Sequence, residues 1–164
     1  MTIALLQLFL VMAAQAEAPW PDPERFRAAI HAFESEDRKT PPPSGAIVGT
    51  GSSSMRFWSV GDRFASDLSP LTVINRGFGG SVMHDVETFL EPLVLKHQPR
   101  AVLIYEGDND VAEGVRSTTF LLRMIAFKRG LTNCRHRPGS IGWRLSLVSR
   151  AGRFGRKCRR LTTG

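Results

Sequence analysis

Three short polar turns carry the residue types that acyl transfer by a nucleophile needs. They are a serine in Gly51-Ser52-Ser53-Ser54, a glycine in Gly77-Phe78-Gly79-Gly80, and an asparagine in Gly107-Asp108-Asn109-Asp110. Ser53 follows the apolar run Ala46-Ile47-Val48 and precedes Met55-Arg56-Phe57-Trp58, so the sequence delivers a serine from a strand end into a helix. A hydroxyl in that place is uncovered, and the unpaired N–H groups of the helix's opening turn can hold an oxyanion. Serines there also serve as N-caps or turn formers, so this turn alone does not separate the two roles.

The elements that must position these turns follow from periodicity. Ala46-Ile47-Val48, Leu71-Thr72-Val73-Ile74 and Ala101-Val102-Leu103-Ile104-Tyr105 read as short β-rich runs. Met55 to Leu68 and Ser81 to His97 suit helices, the second with Val82, Val86, Phe89, Leu90, Leu93 and Leu95 on its apolar side. The order is β-α-β-α-β. Such alternation predicts an α/β fold with a parallel sheet and right-handed crossovers, which brings all three turns to the carboxyl edge of one sheet. Ser53, Gly80 and Asn109 then share one site.

With these residues the chain resembles the SGNH, or GDSL-type, serine esterases and acylhydrolases, and the likeness runs block by block. Gly51-Ser52-Ser53-Ser54-Met55-Arg56-Phe57-Trp58 is similar to the Gly-Ser-Ser-Ser-Ile-Arg-x-Trp form of the first block. Asn75-Arg76-Gly77-Phe78-Gly79-Gly80-Ser81 is similar to the second block, and Gly107-Asp108-Asn109-Asp110 to the Gly-x-Asn-Asp of the third. Even the lead-in Ala32-Phe33-Glu34 through Asp37-Arg38-Lys39 to Pro41-Pro42-Pro43 resembles that form. The resemblance implies a three-layer, flavodoxin-like parallel sheet, incomplete in this chain, and catalysis on a small ester without metal or cofactor. It implies Ser53 as nucleophile, with the Ser53 N–H, the Gly80 N–H and the Asn109 amide around the oxyanion. A free serine is a poor nucleophile near neutral pH and needs a base. In the family that base is the histidine of a late Asp-x-x-His block.

No such block occurs here. None of the four histidines, His31, His84, His97 and His136, has an aspartate three residues before it, and only His84 follows a glycine turn closely. The composition changes where the block is due: every Asp and Glu lies at or before Glu113, while residues 114–164 are rich in Arg and Lys, giving a net charge of +7 overall. The expectation is a reading frame that departs from the family's near Gly114, and an esterase that is weak or inactive as it stands. A basic extension that binds nucleic acid or an anionic surface is the alternative. Its aromatic residues near the end, Trp143 and Phe154, are sparse for base stacking. Within it, Thr118 to Lys128 has the apolar spacing of a helix. Cys134 and Cys158 also fall there, and nothing in their spacing decides whether they pair.

At the other end, Ile3 to Ala14 is apolar apart from Gln7 and leads to Ala16-Glu17-Ala18, the pattern of a secretory signal with its cleavage site. Residues 1–18 are therefore expected to direct the chain to the periplasm or outside the cell, being too short to span a bilayer. Residues 19–45 should form a helix from Pro19 to Glu36 and a proline-stiffened link. Residues 46–115 should form the partial hydrolase domain and 116–164 the basic tail. Gly49-Thr50-Gly51 between strand and helix also suits a different class, a dinucleotide site in which Arg76 would meet an NADP 2′-phosphate. Against it, the third glycine position is Ser54 and no acid ends the second strand.

Overall fold

The computed structural model describes residues 20–133. The expected signal segment, His136, the two cysteines and the rest of the basic tail lie outside the described residues. Three strands, β1 (Ile47–Gly51), β2 (Val73–Gly77) and β3 (Ala101–Tyr105), form one parallel sheet in the order β2-β1-β3. The register sets Gly51 opposite both Gly77 and Tyr105, so the strands end level with one another. That alignment places all three polar turns on the same edge, as the β-α alternation requires.

Alternate strand residues face two different layers. Val48, Ile74, Val102 and Ile104 join Ile30, Met83, Val86, Phe89, Leu93, Met124 and Phe127 in the main core. On the opposite face a Cβ at Gly49 would lie 2.6 Å from the Phe64 ring and 3.0 Å from the Met55 sulfur, so helices approach the sheet closely there. The result is the expected three-layer α/β arrangement. Among the described residues, β3 pairs with β1 alone.

Several elements differ from their sequence reading for local reasons. The second strand continues through Asn75-Arg76-Gly77, because parallel pairing with Gly49, Thr50 and Gly51 offers that segment ladder bonds that a turn would forgo. The helix expected from Met55 to Leu68 is split into α2 (Ser53–Trp58) and α3 (Arg63–Asp67) around a 3-10 turn at Val60–Asp62, where Gly61 and Asp62 are left-handed at φ +65 and +59°. Ser81 to His97 is likewise α4 (Met83–Thr88), α5 (Leu90–Leu93) and a 3-10 turn at Leu95–His97. Pro92 explains that break, since a proline lacks the N–H for the carbonyl four residues earlier, at Thr88, and its ring collides with it.

The leading helix begins as a 3-10 turn, Pro23–Phe26, capped by the Asp22 carboxylate on the Glu24 N–H at 3.0 Å, and continues as α1 (Arg27–Lys39). Its last turn is fastened by Asp37, which pairs with the buried Arg76 guanidinium of β2 and with Lys96 at 2.7 Å. After β3 come α6 (Asp108–Ala112) and α7 (Ser117–Asn133). The last helix is longer than its apolar spacing predicted, and Met124, Phe127 and Leu131 turn one side of it into the core. Among the described residues no helix is long and apolar enough to cross a membrane.

Candidate active site

Gly51 closes β1 at φ +131°, and a Cβ there would lie 2.1 Å from the Tyr105 carbonyl oxygen, so both conformation and space restrict the position to glycine. The close approach lets the Ser52 N–H donate to the Tyr105 carbonyl at 3.1 Å, while the Gly51 carbonyl accepts from the Phe78 N–H at 2.8 Å. The first turn is thereby bonded to the ends of both neighbouring strands. Ser52 is the N-cap of α2 by conformation, yet its side chain makes no capping bond. Ser53 is the first residue of the helix and is half-exposed. Neither its hydroxyl nor its N–H has a partner among the described residues.

The second and third turns are bonded to each other. Gly80 is exposed at φ +83° with open space around it, so its conformation, and not crowding, calls for glycine. Its N–H also has no partner among the described residues. Immediately after it, the Ser81 carbonyl accepts from the Asn109 side-chain amide at 2.8 Å. An amide nitrogen carries two hydrogens, so one remains for another acceptor. The Met83 N–H donates to both oxygens of Asp110 at 3.1 Å, and the Val82 N–H to Asp85 at 2.9 Å. Asp85 so performs one half of a capping box, the half that does not need a polar side chain at Val82.

Bonded to these turns are three acids that nothing in their local pattern singled out, Asp85 and Asp110 buried and Glu106 half-buried. Glu106 is bonded to the Ser81 hydroxyl, which also lies 3.2 Å from the Phe78 carbonyl. Burial, with the Asp110 and Asp85 carboxylates adding to it, pushes Glu106 up to about 9 despite the bond to Ser81. The bond donated by the Ser81 hydroxyl opposes that rise without cancelling it. Burial likewise raises Asp85 and Asp110 above the ordinary aspartate value. Asp85 is joined by Arg25 at 2.5 Å. The available signal was an acid directly after an apolar strand, a pattern shared with many exposed turns.

Among the described residues, three histidines can be placed. His84, in the first turn of α4, is half-buried with its ring 5.5 Å from that of Trp20, and its Nδ1 has no hydrogen-bond partner. Burial, and then the Arg123 charge, lower its proton affinity. His97 is buried 3.8 Å from Asp37 and is held neutral, burial and the Arg76 charge lowering it to about 4. His31 lies exposed on α1. None of these three is hydrogen-bonded to Ser53. Arg76, the residue a 2′-phosphate would need, is 6 % exposed and committed to Asp37 and the Asn75 carbonyl.

A cleft of about 480 Å³ runs along β2, lined by Phe33, Asp37, Arg56, Phe64, Ile74 and Arg76 among others. Ser53, Gly80 and Asn109 do not line it. Among the described residues no group of three or more His, Cys, Asp or Glu is placed to hold a metal ion.

This arrangement of sheet, helices and turns is similar to part of the fold seen in solved structures of GDSL-like lipases and acylhydrolases. A candidate acylhydrolase of Bacteroides fragilis superposes with a TM-score of 0.55 at 19 % identity, over 77 % of this chain and 57 % of its own. A GDSL-like lipase of Bacteroides thetaiotaomicron does so with a TM-score of 0.55 at 18 % identity, over 70 % of this chain and 55 % of its own. The chain thus spans little more than half the length of these solved structures. No family model matches the sequence, and no curated protein matches it.

Proposed function

We propose that the chain is built for ester hydrolysis of the SGNH type, with Ser53 as the nucleophile. In this reading Ser53 Oγ attacks the ester carbonyl. The Ser53 N–H, the Gly80 N–H and the remaining hydrogen of the Asn109 amide bind the oxyanion that forms. The observation that carries the reading is the level ending of three parallel strands. It brings the Ser53 and Gly80 N–H groups, both without partners among the described residues, to one edge together with Asn109. Donors kept unpaired and fixed in advance are what stabilises a developing charge, and the loss of one typically costs about 3–4 kcal/mol.

No described histidine reaches Ser53, so these residues supply an oxyanion site without a base. Turnover of simple esters by them is expected to be slow or absent, and an electrophile with a good leaving group, which needs no proton on departure, should trap the hydroxyl only slowly. The test is reaction of the full chain with a serine-reactive fluorophosphonate, followed by peptide mapping. A single adduct on Ser53, absent in Ser53→Ala and slowed about a hundredfold or more in Asn109→Ala, is the expected result. An adduct that survives Ser53→Ala would overturn the assignment. Ester turnover at the rate of an efficient hydrolase would return attention to His84 as base.

A further inference from the structure

Arg56 is three positions after Ser53 on α2, which puts the two on neighbouring places of one helix face, with helical side chains leaning toward the N-terminal end. Its guanidinium lies directly against the second turn. A Cβ at Gly79 would meet Arg56 Cζ and Nε at 3.0 Å and Nη2 at 3.2 Å, so the missing side chain at position 79 is the space the guanidinium fills. The group also stacks on the Phe57 ring, with Cζ 4.8 Å from the centroid. It is thus fixed between the residue before Gly80 and the helix that starts at Ser53.

What it lacks is an anion. Arg25, Arg76 and Arg123 each have a carboxylate within 3.0 Å, and Lys96 has Asp37 at 2.7 Å. Arg56, though exposed, has none within 4.0 Å among the described residues. Of the acids that share the β2 cleft with it, Asp37 is consumed by Arg76 and Lys96, while Glu36 and Asp62 stand exposed without reaching it. Around the three turns, Asp85 and Asp110 are buried and hold backbone N–H groups. The exposed Asp108 accepts from the Tyr105 hydroxyl at 2.8 Å on the third turn, after β3. At the second turn Arg56 is thus a cation without a carboxylate partner, while the exposed Asp108 lies on the third turn.

We propose that Arg56 binds an anionic group of the ester substrate, a carboxylate or phosphate a few atoms from the scissile carbonyl. A planar guanidinium takes either group through two parallel hydrogen bonds, and stacking on Phe57 and Gly79 spares most of the entropy such a grip costs. The inference rests on the ester-hydrolase reading and names the class of ester within it. An anion on the acyl side of the scissile bond and one on the alcohol side are separable with small probes.

The experiment uses the full chain carrying Ser53→Ala, and follows binding by NMR titration, with the Arg56 Nε–H resonance as reporter. The probes are methyl hydrogen succinate, with its charge on the acyl side, 2-acetoxyethyl phosphate, with its charge on the alcohol side, and neutral dimethyl succinate. At least one anionic ester should bind about tenfold more tightly than the neutral one. The preference should vanish in Arg56→Gln, survive in part in Arg56→Lys, and shrink as salt rises. Equal binding of charged and neutral esters, or a preference that persists in Arg56→Gln, would overturn the proposal. Should Arg56→Gln fail to fold, a preference in the parent that ignores salt overturns it equally. Phosphonate labelling of Ser53 in the parent chain is scored separately. Labelling without an anion preference removes the Arg56 proposal alone; an anion preference without labelling removes the nucleophile and leaves the anion site.

Discussion

Glu106 shows how one side chain can hold two turns in place while remaining outside the reaction. Its carboxyl grips Ser81, and the carbonyl of Ser81 holds Asn109, so the glycine turn and the asparagine turn move as one piece. Because folding raises its pKa from 4.5 to about 9, the folded chain keeps a proton that the unfolded chain has lost across that interval. Its contribution therefore falls as pH rises from 4.5 toward 9. His97 works in the opposite sense between about 4 and 6.5 and is silent above. Between pH 6.5 and 9, then, the melting temperature should fall with rising pH in the native chain and fall much less in Glu106→Gln, whose amide can still donate to Ser81. Parallel slopes for the two proteins, measured by thermal denaturation, would show that the Glu106 carboxyl is ionised in the folded state.

At the scale of elements, the decisive joint is the one between α1, β2 and the turn before β3. Asp37 carries it with Arg76 and Lys96. Burial alone would raise the Asp37 pKa, but Lys96 and Arg76 outweigh it and hold the carboxyl below its ordinary value. The Asp37 and Arg76 side chains are 13 % and 8 % exposed, so removing one partner strands the other away from water. Asp37→Ala should cost about 3–5 kcal/mol in urea unfolding, the usual price of an uncompensated buried charge. A loss under about 1 kcal/mol would mean that the pair is solvated, as exposed ion pairs are.

For the molecule as a whole, the question is whether α7 belongs to the same cooperative unit as the sheet. Phe127 is fully buried and shares the main core with Val48, Ile74, Met83 and Val86, contributed by two strands and α4. Phe127→Ala should accordingly cost about 3–5 kcal/mol, with urea and thermal transitions remaining single. A much smaller loss, with α7 melting separately, would detach the helix from the domain. The point bears on function because Phe120 of the same helix sits 3.3 Å from the space beside Gly107, at the mouth of the third turn.

Much of this was legible in the residues. Local patterning determined the alternation of strands and helices, and with it the parallel sheet, since short apolar runs and glycine turns are read without tertiary help. The same patterning singled out Ser53, Gly80 and Asn109, and the handedness of crossovers then put them on one edge. Where the helices break was only partly readable: Pro92 announces its break, whereas the left-handed turn at Gly61 and Asp62 interrupts an apolar spacing that reads as one continuous helix. Tertiary structure alone decided that Asn75 to Gly77 extends β2, that Arg76 is neutralised by Asp37, and that the half-buried Glu106 carboxyl has its pKa raised. It also decided that Gly79 makes room for Arg56. Each of these depends on a partner 23 to 39 positions away in the chain, or on water being excluded by the assembled core, and neither a long-range neighbour nor a local dielectric is written in the residues around a position.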